Sequence, residues 1–177
     1  MSAPTGHGTR STFSGRWRLG RGRRDLLALA GFIAGCLVVA GLGGAVTSLS
    51  VGGWYQGLTK PPFNPPDQVF APVWTALYLM MAVAAWRVWR HRDSRGRGRA
   101  LVLFASQLAL NLLWSCLFFG WMAVGAALVE IVVLWVAIVA TAVAFGRIDR
   151  VAGWLMAPYA AWVLFAIVLN AAIWRLN

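Results

Sequence analysis

The sequence predicts an all-α membrane protein, a bundle of five transmembrane helices with a long external loop between the first and the second. Three observations lead there. The chain is 60% hydrophobic and only 12% charged. Its apolar residues fall into five blocks, each close to the about 20 residues that an α-helix needs to cross a bilayer. The positive charges lie in the segments between alternate blocks, where they define one side of the membrane. The spans are expected at Leu26–Ser48, Val69–Val88, Leu101–Gly120, Val124–Phe145 and Ala152–Trp174. Nothing else is long enough for a further domain, so residues 26–177 form one membrane domain.

Residues 1–25 are rich in Gly, Ser, Thr and Arg with few large apolar residues, a composition that predicts a disordered basic tail. Arg23-Arg24 before DLLALAG resembles a twin-arginine signal. The apolar block that follows exceeds the about 7–15 residues of a signal-peptide core, and four more blocks come after it, so it reads as the first span. Between the first two spans lies WYQGLTKPPFNPP, Trp54 to Pro66. Its four prolines each lack an N–H and disfavour helix in the residue before, so the stretch is expected to be a rigid loop.

The net charge of +11 would point to nucleic acid in a soluble chain. Here its distribution has a topological reading that makes a nucleic-acid partner unnecessary. Six arginines lie in the tail, six between spans two and three (Arg87, Arg90, Arg92, Arg95, Arg97, Arg99) and two, Arg147 and Arg150, between spans four and five. The other side holds only Lys60 and Arg175. The positive-inside rule then expects a cytoplasmic N-terminus, an external C-terminus and an external Trp54–Pro66 loop.

Eleven tryptophans are the compositional oddity. Trp86, Trp89, Trp121 and Trp154 fall near span ends, as an interfacial belt requires. Others follow helical periodicity within the spans. Trp74, Tyr78, Met81 and Ala85 share a face of span two; Gln107, Asn111, Trp114 and Phe118 share one of span three; Tyr159, Trp162, Ala166 and Asn170 share one of span five. Lipid-facing positions do not normally carry Gln or Asn, so the three stripes should face one another. Two accounts fit equally: a bundle joined by interhelical hydrogen bonds, or a cavity with aromatic walls for a flat apolar ligand and amides to orient it.

The remaining chemistry-bearing residues narrow the function by what they lack. Glu130 is the one carboxylate within the spans. An intramembrane acid suggests a proton relay, but no His, Lys or Asp accompanies it, which favours a structural acid. Cys36 and Cys116 lie in spans and read as small hydrophobes. His7 and His91 lie outside the spans, which argues against a metal site or a histidine-ligated haem in the membrane. No Ser–His or Cys–His pair is offered for nucleophilic catalysis. Ala105 and Ala109, four residues apart on span three, would allow a second helix to approach closely in a homodimer.

Four stretches resemble one known family: WYxGLxKPPxxPP at Trp54–Pro66, PVWTALY at Pro72–Tyr78, QLALNLLW with the following FFG from Gln107 to Gly120, and PYAAWVLFAIVLN at Pro158–Asn170. In this order they are similar to the translocator protein and tryptophan-rich sensory protein family, once called peripheral benzodiazepine receptors. The resemblance implies a five-helix bundle, commonly a homodimer, that binds porphyrins, haem and benzodiazepine-type ligands in a pocket opening on the loop side. It implies that the proline-rich loop is a lid to which Trp54 and Tyr55 contribute. It also implies that Trp74, Asn111, Trp114, Trp162 and Ala166 line the pocket. Tyr78 and Gln107 share the same stripes, and Lys60, the lid's one cation, is the natural partner for a porphyrin propionate.

Ala171 stands where animal members carry the tyrosine of a sterol-recognition pattern, so sterol binding is not carried over. The leading expectation is therefore a membrane receptor or regulator that binds tetrapyrroles and requires no cofactor. Two alternatives of different class follow from the same family. One is a light- and oxygen-dependent porphyrin-degrading enzyme using Trp74 and Trp162. The other is a porphyrin transporter, for which the sequence offers no inverted repeat or acid-rich pathway.

Overall fold

The structure is a computed structural model and describes the backbone of residues 15–177, with side chains from residue 22. The first fourteen residues of the expected tail lie outside the described residues. Helix α1 runs Gly15–Val51, starting inside the stretch expected as a tail, and α3 to α6 run Asp67–Arg90, Arg97–Ser115, Val124–Gly146 and Arg150–Leu176. A one-turn helix, α2, covers Trp54–Gly57. Five of the helices are long and apolar enough to cross a membrane, and no strand occurs among the described residues. Every expected span corresponds to one of these helices; α1, α3, α4 and α6 extend into the flanking polar residues, whereas α5 gains only Gly146. Arginine and leucine are good helix formers, so the apolar boundary need not end the helix.

The element ends follow local chemistry. Gly52 and Gly53 close α1, and the prolines at 61, 62, 65 and 66 keep the chain out of helix, through a turn in which the Asn64 N–H donates to the Pro61 carbonyl at 3.0 Å, until α3 begins at Asp67. Asp67 in the first turn of α3 and Arg87 and Arg90 in its last complement the helix dipole. Gly96 precedes α4 with φ of +89°, a left-handed conformation that glycine adopts without steric cost. α4 ends in a π-helical turn over Cys116–Gly120, with the Trp121 N–H donating to the Cys116 carbonyl at 2.8 Å. Such wide turns often occur at functional sites. Asp149 caps α6, accepting from the N–H groups of Val151 and Ala152 at 2.8 and 3.2 Å.

The five long helices form a closed ring. α1 packs on α3, α3 on α6, α6 on α5, α5 on α4, and α4 with its π-turn returns to α1. The arginine-rich half of this ring is filled by Met81, Ala82, Ala84, Ala85 and Val88 of α3, Ile138 and Phe145 of α5, and Ala152, Met156 and Tyr159 of α6, all buried. Its outer surface is apolar: Leu37, Val38, Val102, Val129, Val136, Leu164 and Val168 are exposed, as a lipid-facing surface requires. At the arginine-rich end, Arg87 and Asp149 form an ion pair at 2.9 Å that ties α3 to the start of α6. Arg90 and Asp25 meet at 3.5 Å, while the Trp86 indole donates to the Asp25 carbonyl. The expected belt residues Trp121 and Trp154 are exposed, and Trp86 and Trp89 carry arginines over their rings. The lid-side half of the ring is not filled, and its space is the candidate site.

Candidate functional site

The three mixed stripes do face one another. They enclose a cavity of about 460 Å³ together with α1, the π-turn and the lid. Its side walls are Trp74 and Phe70 of α3, Trp114 of α4, Phe118 and Phe119 of the π-turn, and Trp162 and Ala166 of α6. The rings interlock: Phe70 meets Trp162 edge-on at 5.9 Å, Trp114 stacks on Phe118 at 5.2 Å, and Trp74 approaches Tyr78 and Tyr159 at 5.7 and 6.1 Å. Edge-to-face and offset contacts of this kind hold aromatic walls in fixed orientations.

The inner end carries a buried polar cluster. The Tyr78 hydroxyl donates to Asn111 Oδ1, and Asn111 Nδ2 donates to the Tyr159 hydroxyl at 3.0 Å. Tyr78 and Asn111 line the cavity, whereas Tyr159 is wholly buried behind them. One turn nearer the arginine-rich end, Gln107 is fully buried with its amide 3.9 Å from Met81 Sδ, outside the lining. Two lining residues also hold buried polar atoms with no partner among the described residues: the Trp114 indole N–H and the Asn170 side-chain oxygen. Groups of this kind are ordinarily satisfied in folded proteins, so a donor and an acceptor are left near the cavity.

The lid closes one end. Trp54–Gly57 is a turn of helix rather than loop, which corrects the expectation of a wholly non-helical stretch. The prolines that forbid helix begin only at Pro61. Tyr55 enters the lining, and its hydroxyl bonds Asn64 Oδ1 at 3.3 Å. Burial and then the Asp67 carboxylate push the Tyr55 phenol above its ordinary value, against the Asn64 hydrogen bond that lowers it. Trp54 lies behind the lining, edge-on to Phe118 at 5.8 Å. Lys60 is likewise outside it: its ammonium sits 4.4 Å from the centre of the Tyr55 ring and donates to Gln56 Oε1 at 3.3 Å. Gln56 in turn donates to Asp67 at 2.9 Å, and Asp67 lines the mouth. The Thr59 backbone is held at both N–H and C=O by the side-chain amide of Asn177, at 2.9 and 3.1 Å.

Of the sequence-predicted site residues, the fold thus gathers Tyr55, Trp74, Tyr78, Asn111, Trp114, Trp162 and Ala166 around one space. It leaves Trp54, Lys60 and Gln107 just outside. Sequence reasoning missed the contribution of α1, where Ala40, Gly44, Thr47 and Val51 line the cavity at helical spacing. That small-residue stripe was visible but carried no aromatic or amide to draw notice. The cavity is open along this helix, because the lining residues Gly44 and Ser48 of α1 and Ala71 and Thr75 of α3 are all exposed. Glu130 is buried on α5 with neither oxygen bonded, and it does not line the cavity. No cluster of three metal-ligating side chains occurs among the described residues.

Fold and site together define an integral, multi-pass membrane protein whose five helices enclose an aromatic cavity under a proline-rich lid. The TspO/MBR family model matches residues 32–175, and the chain belongs to that family. It is 43% identical over 158 residues to the tryptophan-rich protein TspO of Chlorobaculum tepidum, covering 87% of this chain and 98% of that one. To the tryptophan-rich sensory protein of Cereibacter sphaeroides it is 44% identical over 124 residues, 70% of this chain and 77% of the relative. To the translocator protein of Sus scrofa it is 40% identical over 149 residues, 81% and 88% of the two chains.

Proposed function

We propose that the protein is a membrane receptor or regulator that binds tetrapyrroles such as protoporphyrin and haem, and benzodiazepine-type ligands, in the cavity beneath the lid. The observation that carries this reading is the cavity's make-up: about 460 Å³, within the range of small-molecule sites of about 300–1,000 Å³. Its walls are Trp74, Trp114 and Trp162, with the polar pair Tyr78 and Asn111 at one end. A tetrapyrrole is flat and largely apolar, suited to offset stacking on tryptophan, with polar edges suited to a few donors and acceptors. The opening between α1 and α3 leaves room for such an edge. Lys60 reaches a propionate only by leaving the Tyr55 ring.

Titration of the purified protein with protoporphyrin and with haemin, followed by quenching of tryptophan fluorescence, tests this reading. Saturable quenching that is lost in Ala166→Phe supports it. Linear, non-saturating quenching in both proteins would rule it out.

A second reading, photo-oxidative degradation of the bound porphyrin, is favoured by the placement of Trp74 and Trp162 in the lining with Trp74 against Tyr78 and Tyr159. On this reading protoporphyrin bleaches in light and oxygen, and bleaching slows in Trp74→Phe and Trp162→Phe variants that still bind. Bleaching in the dark would exclude it. Exposed Ala105 and Ala109 on α4 fit a homodimer through that helix. The charge bias fits a cytoplasmic arginine-rich side in a bacterial cell membrane.

A further inference from the structure

In the arginine-rich half of the molecule, α5 and α6 cross so closely that a Cβ on Gly153 would come 2.8 Å from the Cα of Gly146. A shallow groove of about 600 Å³ lies along the outside of this crossing. Ala142, Gly146, Gly153 and Ala157 form its floor, and Trp154, 77% exposed, flanks it. Arg150 stands at one end and Ala160 at the other. At 1.5 Å per residue that separation is about 15 Å, half of the about 30 Å hydrocarbon thickness and so the depth of one leaflet.

The polar end is positively charged without compensation. Arg147 and Arg150 are exposed and have no carboxylate partner among the described residues. The neighbouring carboxylate, Asp149, is committed to Arg87 and to the first N–H groups of α6. A groove that is apolar for one leaflet's depth and is lined at its interfacial end by Arg150, with the exposed Arg147 next in the chain to the lining Gly146, matches a molecule with a hydrocarbon tail and an anionic head.

We propose that this groove is a binding site for one anionic phospholipid of the arginine-rich leaflet. Its phosphate lies on Arg150 and Arg147, and one acyl chain lies along the Ala–Gly floor beside the Trp154 indole. Basic recesses between transmembrane helices recognise anionic head groups by the same electrostatics. The small residues are what allow the chain to lie flat, because any larger side chain on the floor would fill the groove. The site is separate from the aromatic cavity and does not depend on what that cavity binds.

Native mass spectrometry of the full chain released from detergent, with phosphatidylglycerol and phosphatidylcholine of matched chains, tests the proposal. The protein should retain phosphatidylglycerol in preference to phosphatidylcholine. The Arg147→Gln/Arg150→Gln double variant should lose about fivefold or more of the phosphatidylglycerol adduct, the size of one basic side chain's attraction to an anionic surface. Ala157→Phe keeps both arginines but fills the floor, and should lose both lipids. Ala160→Phe, at the far end, replaces it if that variant does not fold. Arg95→Gln/Arg99→Gln removes the same charge elsewhere and should change nothing. Unchanged retention in the first double variant, or equal loss in the second, overturns the proposal. So does a change in subunit number in the floor variant, which would make the groove a contact between copies of the chain.

Discussion

Ala166 is the smallest side chain on the α6 wall, one turn from both Trp162 and Asn170. Phenylalanine there occupies space that the cavity leaves empty, so the fold survives while ligand is displaced. Porphyrin affinity should fall by more than about tenfold in Ala166→Phe, the equivalent of about 1.4 kcal/mol, at unchanged thermal stability. Equal affinity in the folded variant would place the ligand elsewhere. Asn177 acts at the same scale from the opposite direction, because it touches the lid and not the cavity. Its amide holds both backbone groups of Thr59. Asn177→Ala should therefore speed ligand association and dissociation alike in stopped-flow traces while leaving equilibrium affinity within about threefold, or about 0.65 kcal/mol. A loss of affinity without faster exchange would mean that the residue shapes the cavity instead.

Two elements have mechanical parts that can be tested separately. The start of α6 depends on Asp149, which caps the helix and pairs with Arg87 of α3. Burial pushes its carboxyl up, but hydrogen bonds from Ala152, Arg87 and Val151 outweigh that and hold it below the usual carboxylate range. A carboxyl depressed in the folded state stabilises fully above its unfolded value of about 3.9, and the stability is lost as pH falls through the folded value. Asp149→Ala should cost about 1 kcal/mol, the usual cost of a lost cap, near neutral pH. The difference from the parent should shrink as pH drops below about 4. A difference that stays constant with pH would remove the carboxylate from the account. The facing edges of α1 and α3 form the open side of the cavity. Thr75→Trp, placed at that opening, should slow ligand association more than it changes the ligand's final affinity.

At the scale of the molecule, the charge asymmetry sets an orientation that intact cells can report. With Cys36 and Cys116 replaced by alanine, single cysteines at Gly57 in the lid and Ser94 in the arginine loop should react oppositely with a membrane-impermeant thiol reagent. Labelling is expected for the lid position alone. Ser94 is preferable to Gly96, whose left-handed φ of +89° would strain any side chain. Labelling of the arginine loop alone would invert the topology. The same asymmetry divides the interior. The arginine-rich half is closed by Arg87–Asp149, Arg90–Asp25 and a dense core, whereas the lid half keeps its space because bulky rings brace one another around it.

The sequence by itself determined the five helices and the three stripes that meet. A span needs an uninterrupted apolar run and a stripe needs only helical periodicity, and both are local properties of the chain. It also carried the family, through Trp54–Pro66 and three further stretches. Only the tertiary structure decided which stripe residues reach the cavity. Gln107 and Asn111 share a face one turn apart, yet Gln107 is sealed against Met81 while Asn111 joins Tyr78 at the lining. That difference is set by how α3 packs on α4, which no spacing within one helix encodes. Lys60 follows the same rule, since its place over Tyr55 depends on the lid's fold. The role of α1 was hidden for a simpler reason. Gly43, Ala40 and Thr47 matter by being small beside other helices, a Cβ on Gly43 coming 3.3 Å from Ser115 Oγ of α4, and smallness has meaning only once those neighbours are in place.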